Sequence, residues 1–421
     1  MDSPAPILAV DLDGTLIRTD SLHEALLAQV RSRPVRVLSL IPVLFQGRAR
    51  FKRAVVDGIR PAEWHMPVNP AVRQLIESER ARGTGVWLVT AADQAIADAV
   101  AGETGLFDGV LASDGRQNLK AEGKAAALVA RFGAGGFDYI GNSRADLPVW
   151  AQARNAWVVG SERLATAARR SAPGSVRVLP DAQPSRLSAL RRALRPHQWA
   201  KNLLVLLPLI AAQRVFDAEL VTALLAFVVF SLTASAVYLI NDLLDLPSDR
   251  VHPRKRNRPF AAGVLPLHWG VLIAAGFLAC AFAASLALLS AVFVLVLLGY
   301  LILTSAYSLA LKRKPVVDVL VLAGLYTARV IAGAAATGLP ASFWLLAFSM
   351  FIFLSLALAK RYAELDGVRA LGQQVAAGRN WRVDDLPLIQ SLGVASGLAG
   401  VVVLALYINS PEAQRLYTEQ S

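Results

Sequence analysis

The sequence predicts two unlike folds in one chain: an α/β doubly wound domain over residues 1–180 and an all-α polytopic transmembrane helix bundle over 196–421, joined by a linker at 181–195. Three observations predict this. The 421 residues are 55% hydrophobic with a mean hydropathy of +0.46, too apolar for a wholly soluble chain of this size. Charges run throughout the first 180 residues, whereas from Asn202 onward long apolar runs alternate with short polar ones, as membrane helices do. The N-terminal apolar runs, in contrast, are short and end in acids and turn residues, the mark of buried parallel strands.

In chain order, the first strand is Ile7–Val10, followed by Asp11-Leu12-Asp13-Gly14-Thr15. Two acids flanking one residue at the end of a parallel strand place one carboxylate to attack and the other to donate or accept a proton. Gly14 permits the turn that follows. A second strand, 86–89, ends in Thr90, whose hydroxyl can hold a phosphoryl oxygen. Lys124 opens a helical stretch at 125–132, with Lys120 a nearby competitor for the same role. A third strand, 137–140, ends in Gly141-Asn142-Ser143-Arg144-Ala145-Asp146.

These four sites, in this order, resemble the haloacid dehalogenase-like phosphatase family over residues 7–160. The resemblance implies a doubly wound parallel sheet with its site at the strand carboxyl ends, and a helical cap at 16–69. It implies Asp11 as nucleophile, Asp13 as general acid/base, Thr90 and Lys124 as phosphate clamps, and Mg²⁺ held among Asp11, Asp13, Asn142 and Asp146. The family's fourth motif usually opens with an acid where this chain has Asn142, which removes one charge. Two outcomes therefore stay open, an active phosphatase and a non-catalytic binding module. Within the cap, residues 35–45 are apolar and surrounded by Arg31, Arg33, Arg36, Arg48 and Arg50. An element lying on the membrane surface and ordinary packing among cap helices both account for this stretch.

A spanning helix needs about 20 apolar residues, and about seven are expected, near 202–213, 219–240, 267–287, 290–311, 316–337, 341–360 and 386–408. The net charge is +12 and the pI about 10.2, but the cations gather at the ends of the apolar runs. That is a positive-inside distribution, and no nucleic-acid partner is expected. It predicts a multi-pass protein of the cytoplasmic (inner) membrane with the N-terminal domain in the cytoplasm. No cleaved signal peptide is expected at the N-terminus. Cys280 is the only cysteine, so neither an intramolecular disulfide nor a Cys-based metal site is expected.

The second apolar run leads into Asn241-Asp242-Leu243-Leu244-Asp245-Leu246-Pro247-Ser248-Asp249, and then into a basic cluster that includes Arg250, Lys255 and Arg258. Acids three and four apart share a face if the segment stays helical, although Pro247 is expected to bend it. Carboxylates at membrane depth beside cations point to Mg²⁺ gripping a diphosphate. With Gln198-Trp199-Ala200-Lys201-Asn202, Tyr307 to Lys312 with Asp318, Arg329 and Lys360-Arg361, this motif resembles the UbiA superfamily of polyprenyl transferases. The details are most similar to its decaprenyl-phosphate phosphoribosyltransferase branch.

The resemblance implies a membrane transferase that moves ribose 5-phosphate from phosphoribosyl diphosphate to a polyprenyl phosphate. Asp242 and Asp245 would be catalytic and hold Mg²⁺ with Asp249. Lys201, Asn202, Asn241, Arg250, Lys255, Arg258, Tyr307, Lys312, Lys360 and Arg361 would contact substrate. The alternative is transfer of a prenyl group from its diphosphate to an aromatic or other hydrophobic acceptor. That chemistry usually needs a second acid motif, and this chain has Lys360, Arg361 and Glu364 in its place. Arg329 would either face the cavity or pair with Asp318. The family typically has nine helices, so about seven implies a fragment or a bundle closed differently. Since the acid motif, basic cluster and Lys360-Arg361 all follow Arg191, transfer is expected to be separable from the N-terminal domain.

Overall fold

The computed structural model describes residues 7–115, 118–181, 183–375 and 379–411. Contacts divide the chain into two compact units, residues 1–193 with 239–272, and residues 194–238 with 273–421.

The first unit is built on a six-stranded, all-parallel sheet of order β3-β2-β1-β4-β5-β6. Its strands are β1 Ile7–Val10, β2 Gly85–Asp93, β3 Gly109–Ser113, β4 Phe137–Gly141, β5 Ala156–Val159 and β6 Val176–Leu179. The short runs of β3, β5 and β6 are not among the strands singled out from the sequence. Successive residues of a strand point to opposite faces. Leu8 and Val10 thus join one buried core with Ile76, Ile96 and Ala97, while Ala9 joins another with Leu128, Val149 and Trp150. Val10 lies in register with Leu88 on one side and Ile140 on the other. The strand order reverses at the β1–β4 edge, where doubly wound sheets open a crevice at their carboxyl ends.

Between β1 and β2 the chain makes a helical excursion: α1 Ser21–Ser32, α2 Pro34–Ser39, α3 Ile41–Leu44 and α4 Arg48–Val56. Asp20 starts α1 by accepting the N–H groups of Leu22 and His23, and Pro34 bars its continuation. Helices α5 Pro70–Ala81, α6 Gln94–Thr104, α7 Glu122–Phe132, α8 Leu147–Trp150, α9 Glu162–Arg169 and α10 Arg186–Leu194 follow.

The remaining helices are α11 Leu207–Ala211, α12 Glu219–Leu244, α13 Leu246–Val251, α14 Leu267–Leu288, α15 Ala291–Leu309, α16 Val317–Thr337, α17 Phe343–Ala370 and α18 Leu386–Ile408. Among the described residues six helices are long and apolar enough to cross a membrane, as a multi-pass membrane protein requires. The seventh expected helix, near 202–213, is instead a 3₁₀ helix, Pro196–Leu206, followed by the short α11. Pro208 has no N–H to bond the preceding turn, so one unbroken α-helix cannot run through it. This stretch packs tightly on α16, where a Cβ on Gly333 would lie 1.9 Å from the Val205 carbonyl oxygen.

Candidate functional sites

Asp11, Asp13, Thr90, Lys124, Asn142 and Asp146 line one cavity of about 680 Å³ at the carboxyl ends of β1, β2 and β4. The first turn of α7 delivers Lys124, whose Nζ lies 2.6 Å from Asp11 Oδ1 and 3.6 Å from Asp146 Oδ1. Lys124 also donates to Tyr139 Oη, which in turn donates to Asp146. Burial opposes the charge on Lys124, but Asp11 and Asp146 outweigh it and raise the amine's pKa. Lys120 lines the same cavity yet stays exposed, so Lys124 is the one that reaches Asp11.

Asp146 Oδ2 accepts the N–H groups of Asn142 and Ser143 and the Ser143 hydroxyl, which shapes the loop after β4. Asp13 accepts the Ser21 N–H at 2.7 Å and the Ser21 hydroxyl at 3.1 Å. Burial, with Asp20 nearby, pushes the Asp13 carboxyl up to about 7. Thr90 is buried and its Oγ1 accepts the Ala92 N–H. Gly14 has φ +71°, and a Cβ there would lie 2.1 Å from Asn142 Nδ2, so both backbone and space require glycine.

The cap supplies residues that the motifs do not reveal. Arg48 and Lys52 of α4 line the cavity, and Lys52 Nζ donates to the Ala91 carbonyl and to Asn118. Their one sequence signal is the dense run of cations in the cap. Two carboxyls, a buried ammonium and a hydroxyl around one cavity suit transfer of a phosphoryl group. The oxygen donors of Asp11, Asp13 and Asn142 suit a hard cation such as Mg²⁺. Among the described residues, however, no three His, Cys, Asp or Glu side chains gather as a ligand set.

The acid motif does not continue as one helical face. α12 stops at Leu244, Asp245 sits at the joint, and α13 begins at Leu246 with Pro247 in its first turn. Pro247 would clash with the carbonyl of residue 243 in a continuous helix. The break brings Asp249 back beside Asp242, and Arg258 Nη1 donates to both, at 2.6 and 3.2 Å. These two side chains are only 2% and 4% exposed. Asp249 Oδ1 is buried without a hydrogen-bond partner, and burial raises this carboxyl despite Arg258. An orphaned carboxylate oxygen beside a second carboxylate fits a hard divalent cation. Asn241 and Asp245 are half-buried next to the pair, and Lys255 is exposed.

Arg250, expected at a phosphate, is committed elsewhere. Its Nη2 lies 2.5 Å from Glu24 Oε1 in α1, its Nη1 donates to Glu24 Oε2 and the Trp64 carbonyl, and its Nε donates to the Ala261 carbonyl. A Cβ on Gly263 would lie 2.4 Å from the Arg18 carbonyl oxygen. By their contacts, residues 239–272 cluster with the N-terminal unit.

In the second unit Arg361 is buried against Asp318 at 2.6 Å and bonded to Glu364. Asp318 also accepts the Tyr307 hydroxyl and Trp381 Nε1. Tyr307 and Arg361, expected at substrate, are thus spent on a buried network around Asp318. The Arg329–Asp318 pairing is not made. Arg329 donates instead to Asn202, Tyr300 and the Leu325 carbonyl, flanked by the rings of Phe230 and Tyr326. Asn202 also donates to Ser231, so it is a structural bridge. Lys201 is half-buried 5.9 Å above the Tyr326 ring, Lys312 is half-buried, and Lys360 is exposed.

Residues 203–411 match the UbiA prenyltransferase family, and residues 8–150 match haloacid dehalogenase-like hydrolases. An uncharacterized protein of Sinorhizobium fredii, y4nM, is 39% identical over 421 residues, 99% of this chain and 80% of that one. The decaprenyl-phosphate phosphoribosyltransferase of Mycobacterium tuberculosis is 44% identical over 179 residues, 41% of this chain and 59% of that enzyme. A UbiA homolog from Archaeoglobus fulgidus, solved with GPP and Mg²⁺, aligns with a TM-score of 0.43 and 20% identity over 52% of this chain and 77% of that one.

Proposed function

The chain belongs to the UbiA prenyltransferase family through residues 203–411 and carries a haloacid dehalogenase-like domain ahead of them, and from this premise we propose a two-site enzyme of the cytoplasmic membrane. The membrane-side activity transfers ribose 5-phosphate from phosphoribosyl diphosphate to a polyprenyl phosphate. The observation that carries this reading is the 44% identity to decaprenyl-phosphate phosphoribosyltransferase.

A second feature supports it. A prenyl diphosphate donor calls for another free acid cluster, but Glu364 is bonded to Arg361 and Arg379, and Asp366 pairs with Arg369. In the transfer, an acceptor phosphate oxygen attacks the ribose anomeric carbon as its bond to the diphosphate breaks. The acceptor is already anionic and needs no base, so placement and charge stabilisation carry the catalysis. Mg²⁺ held by Asp242 and Asp249, with Asp245 at the neighbouring joint as a ligand through water, would neutralise the departing diphosphate. Arg258 keeps Asp242 and Asp249 together, and Lys255 is an exposed cation for an incoming phosphate.

In the N-terminal site Asp11 attacks the phosphorus of a phosphomonoester while Lys124 and Thr90 hold its oxygens. Asp13, protonated over much of the neutral range, donates to the leaving alkoxide. The most economical substrate is the 5-phosphate of the lipid product, or a related sugar phosphate, since both sites are expected to face the cytoplasm. Asn142 in the place of an acid favours one other reading, a module that binds phosphate without hydrolysing it.

The test is membranes supplied with radiolabelled phosphoribosyl diphosphate and polyprenyl phosphate, followed by lipid extraction. Label should enter the lipid, and Asp242→Asn or Asp245→Asn should abolish its transfer while the protein remains inserted. Label entering an aromatic acceptor from prenyl diphosphate, with none from phosphoribosyl diphosphate, would replace this reading with prenyl transfer.

A further inference from the structure

The cap carries an apolar surface that neither catalytic reading uses. In α2, α3 and the residue after them, Val35, Leu38, Ile41, Leu44 and Phe45 are 80%, 68%, 52%, 54% and 88% exposed, and only Leu40 is buried in that stretch. Soluble surfaces rarely leave so many large side chains contiguous. Around them stand the exposed arginines Arg31, Arg33, Arg48 and Arg50, and no Asp or Glu occurs between Glu24 and Asp57. An apolar centre rimmed by exposed cations is complementary to an anionic lipid surface, with apolar side chains at the acyl boundary and guanidinium groups among phosphates.

We propose that the α2–α3 segment of the cap docks on the anionic bilayer in which the same chain is embedded. The occupant is lipid because six span-length helices tether the cap to a membrane. Association is then intramolecular, and a modest apolar area suffices. Each cation near the surface adds attraction to the anionic headgroups. Leu44 and Arg48 also line the Asp11 cavity, so the docked surface is continuous with the mouth of that site. A phosphomonoester carried on a lipid could thereby enter with its apolar chain along this segment. The docking itself depends on the chain's embedding in a membrane and on neither proposed reaction.

The test uses the full chain in nanodiscs, with Cys280→Ser and a single new cysteine at Leu38→Cys or Phe45→Cys carrying an environment-sensitive fluorophore. A nitroxide-labelled lipid should quench both positions in discs containing phosphatidylglycerol. Quenching should weaken in neutral discs, at high salt, and with Arg50→Glu. A probe at the exposed polar position Arg82→Cys should stay unquenched. Quenching at 38 and 45 no greater than at 82 in anionic discs overturns the proposal. So does probe shielding that appears only in discs holding two copies, since the segment would then pack against a second chain.

Discussion

Asp11 and Lys124 lie 2.6 Å apart, nearly sealed from water, so removing Lys124 leaves the Asp11 carboxylate buried without its cation, while removing Asp11 leaves Lys124 only Asp146, at 3.6 Å. Asp11→Asn removes the proposed nucleophile and should abolish phosphomonoester hydrolysis outright, which full-length protein and a chromogenic phosphate would show. Asn142→Asp should tighten Mg²⁺ binding, because a third carboxylate adds attraction at short range; an unchanged affinity by calorimetry would remove Asn142 from the metal shell. Asp13 gives a pH dependence. Its folded-state value of about 7 stands above its ordinary 3.8, so the folded state holds the extra proton. Stability from this group is fully present below about 4 and is lost as pH rises through about 7, a change of no more than ~4 kcal/mol. In chelator, protection of the β1 amides against hydrogen exchange should fall across that window, and Asp13→Asn should flatten the fall.

At the scale of elements, the join between α1 and α13 has the largest consequence. Arg250 is buried with four acceptor contacts, two of them to Glu24. Breaking such a pair from one side costs ~3–5 kcal/mol, since the remaining charge stays desolvated. Glu24→Gln should loosen residues 239–272, detected as faster proteolysis of this segment. It should also lower the proposed phosphoribosyl transfer, although Glu24 belongs to the phosphatase-like half. A chain starting near Arg191 lacks Glu24 and Trp64 and should insert yet transfer poorly. Full transfer by that truncated chain would show that the acid motif keeps its shape without the cap.

For the whole molecule, connectivity constrains the membrane crossing. α12 is long and apolar enough to cross a membrane once on its way to Leu244. With the cations before Pro196 and those after Leu244 on one face, as a positive-inside distribution predicts, residues 194–218 have to cross as well. A 3₁₀ helix rises about 2.0 Å per residue, so Pro196–Leu206 reaches about 22 Å. α11 adds about 7 Å, which together approach the ~30 Å hydrocarbon core. The short stretch can therefore serve as a seventh crossing. In a Cys280→Ser background, cysteines at Arg192 and Arg214 should react with an impermeant maleimide from opposite faces of sealed vesicles. Labelling from the same face would make this stretch re-entrant.

The sequence by itself determined what depends on neighbours along the chain. Short apolar runs ending in Asp11, Thr90 and Asn142 marked strand ends, and apolar runs of about 20 residues marked the spans, because period and length are local properties. The break in the acid motif was also legible at Pro247, whose ring restricts its own turn. Only the tertiary structure decided which charge meets which. Arg250 and Arg361 look like phosphate ligands in a list of cations, yet Glu24 and Asp318, 226 and 43 positions away, claim them. It also returned Asp249 to Asp242, chose Lys124 over Lys120, and placed residues 239–272 with the N-terminal unit. A charge buried without a partner is too costly to leave, and the partner that satisfies it is set by folding in three dimensions, not by spacing along the chain.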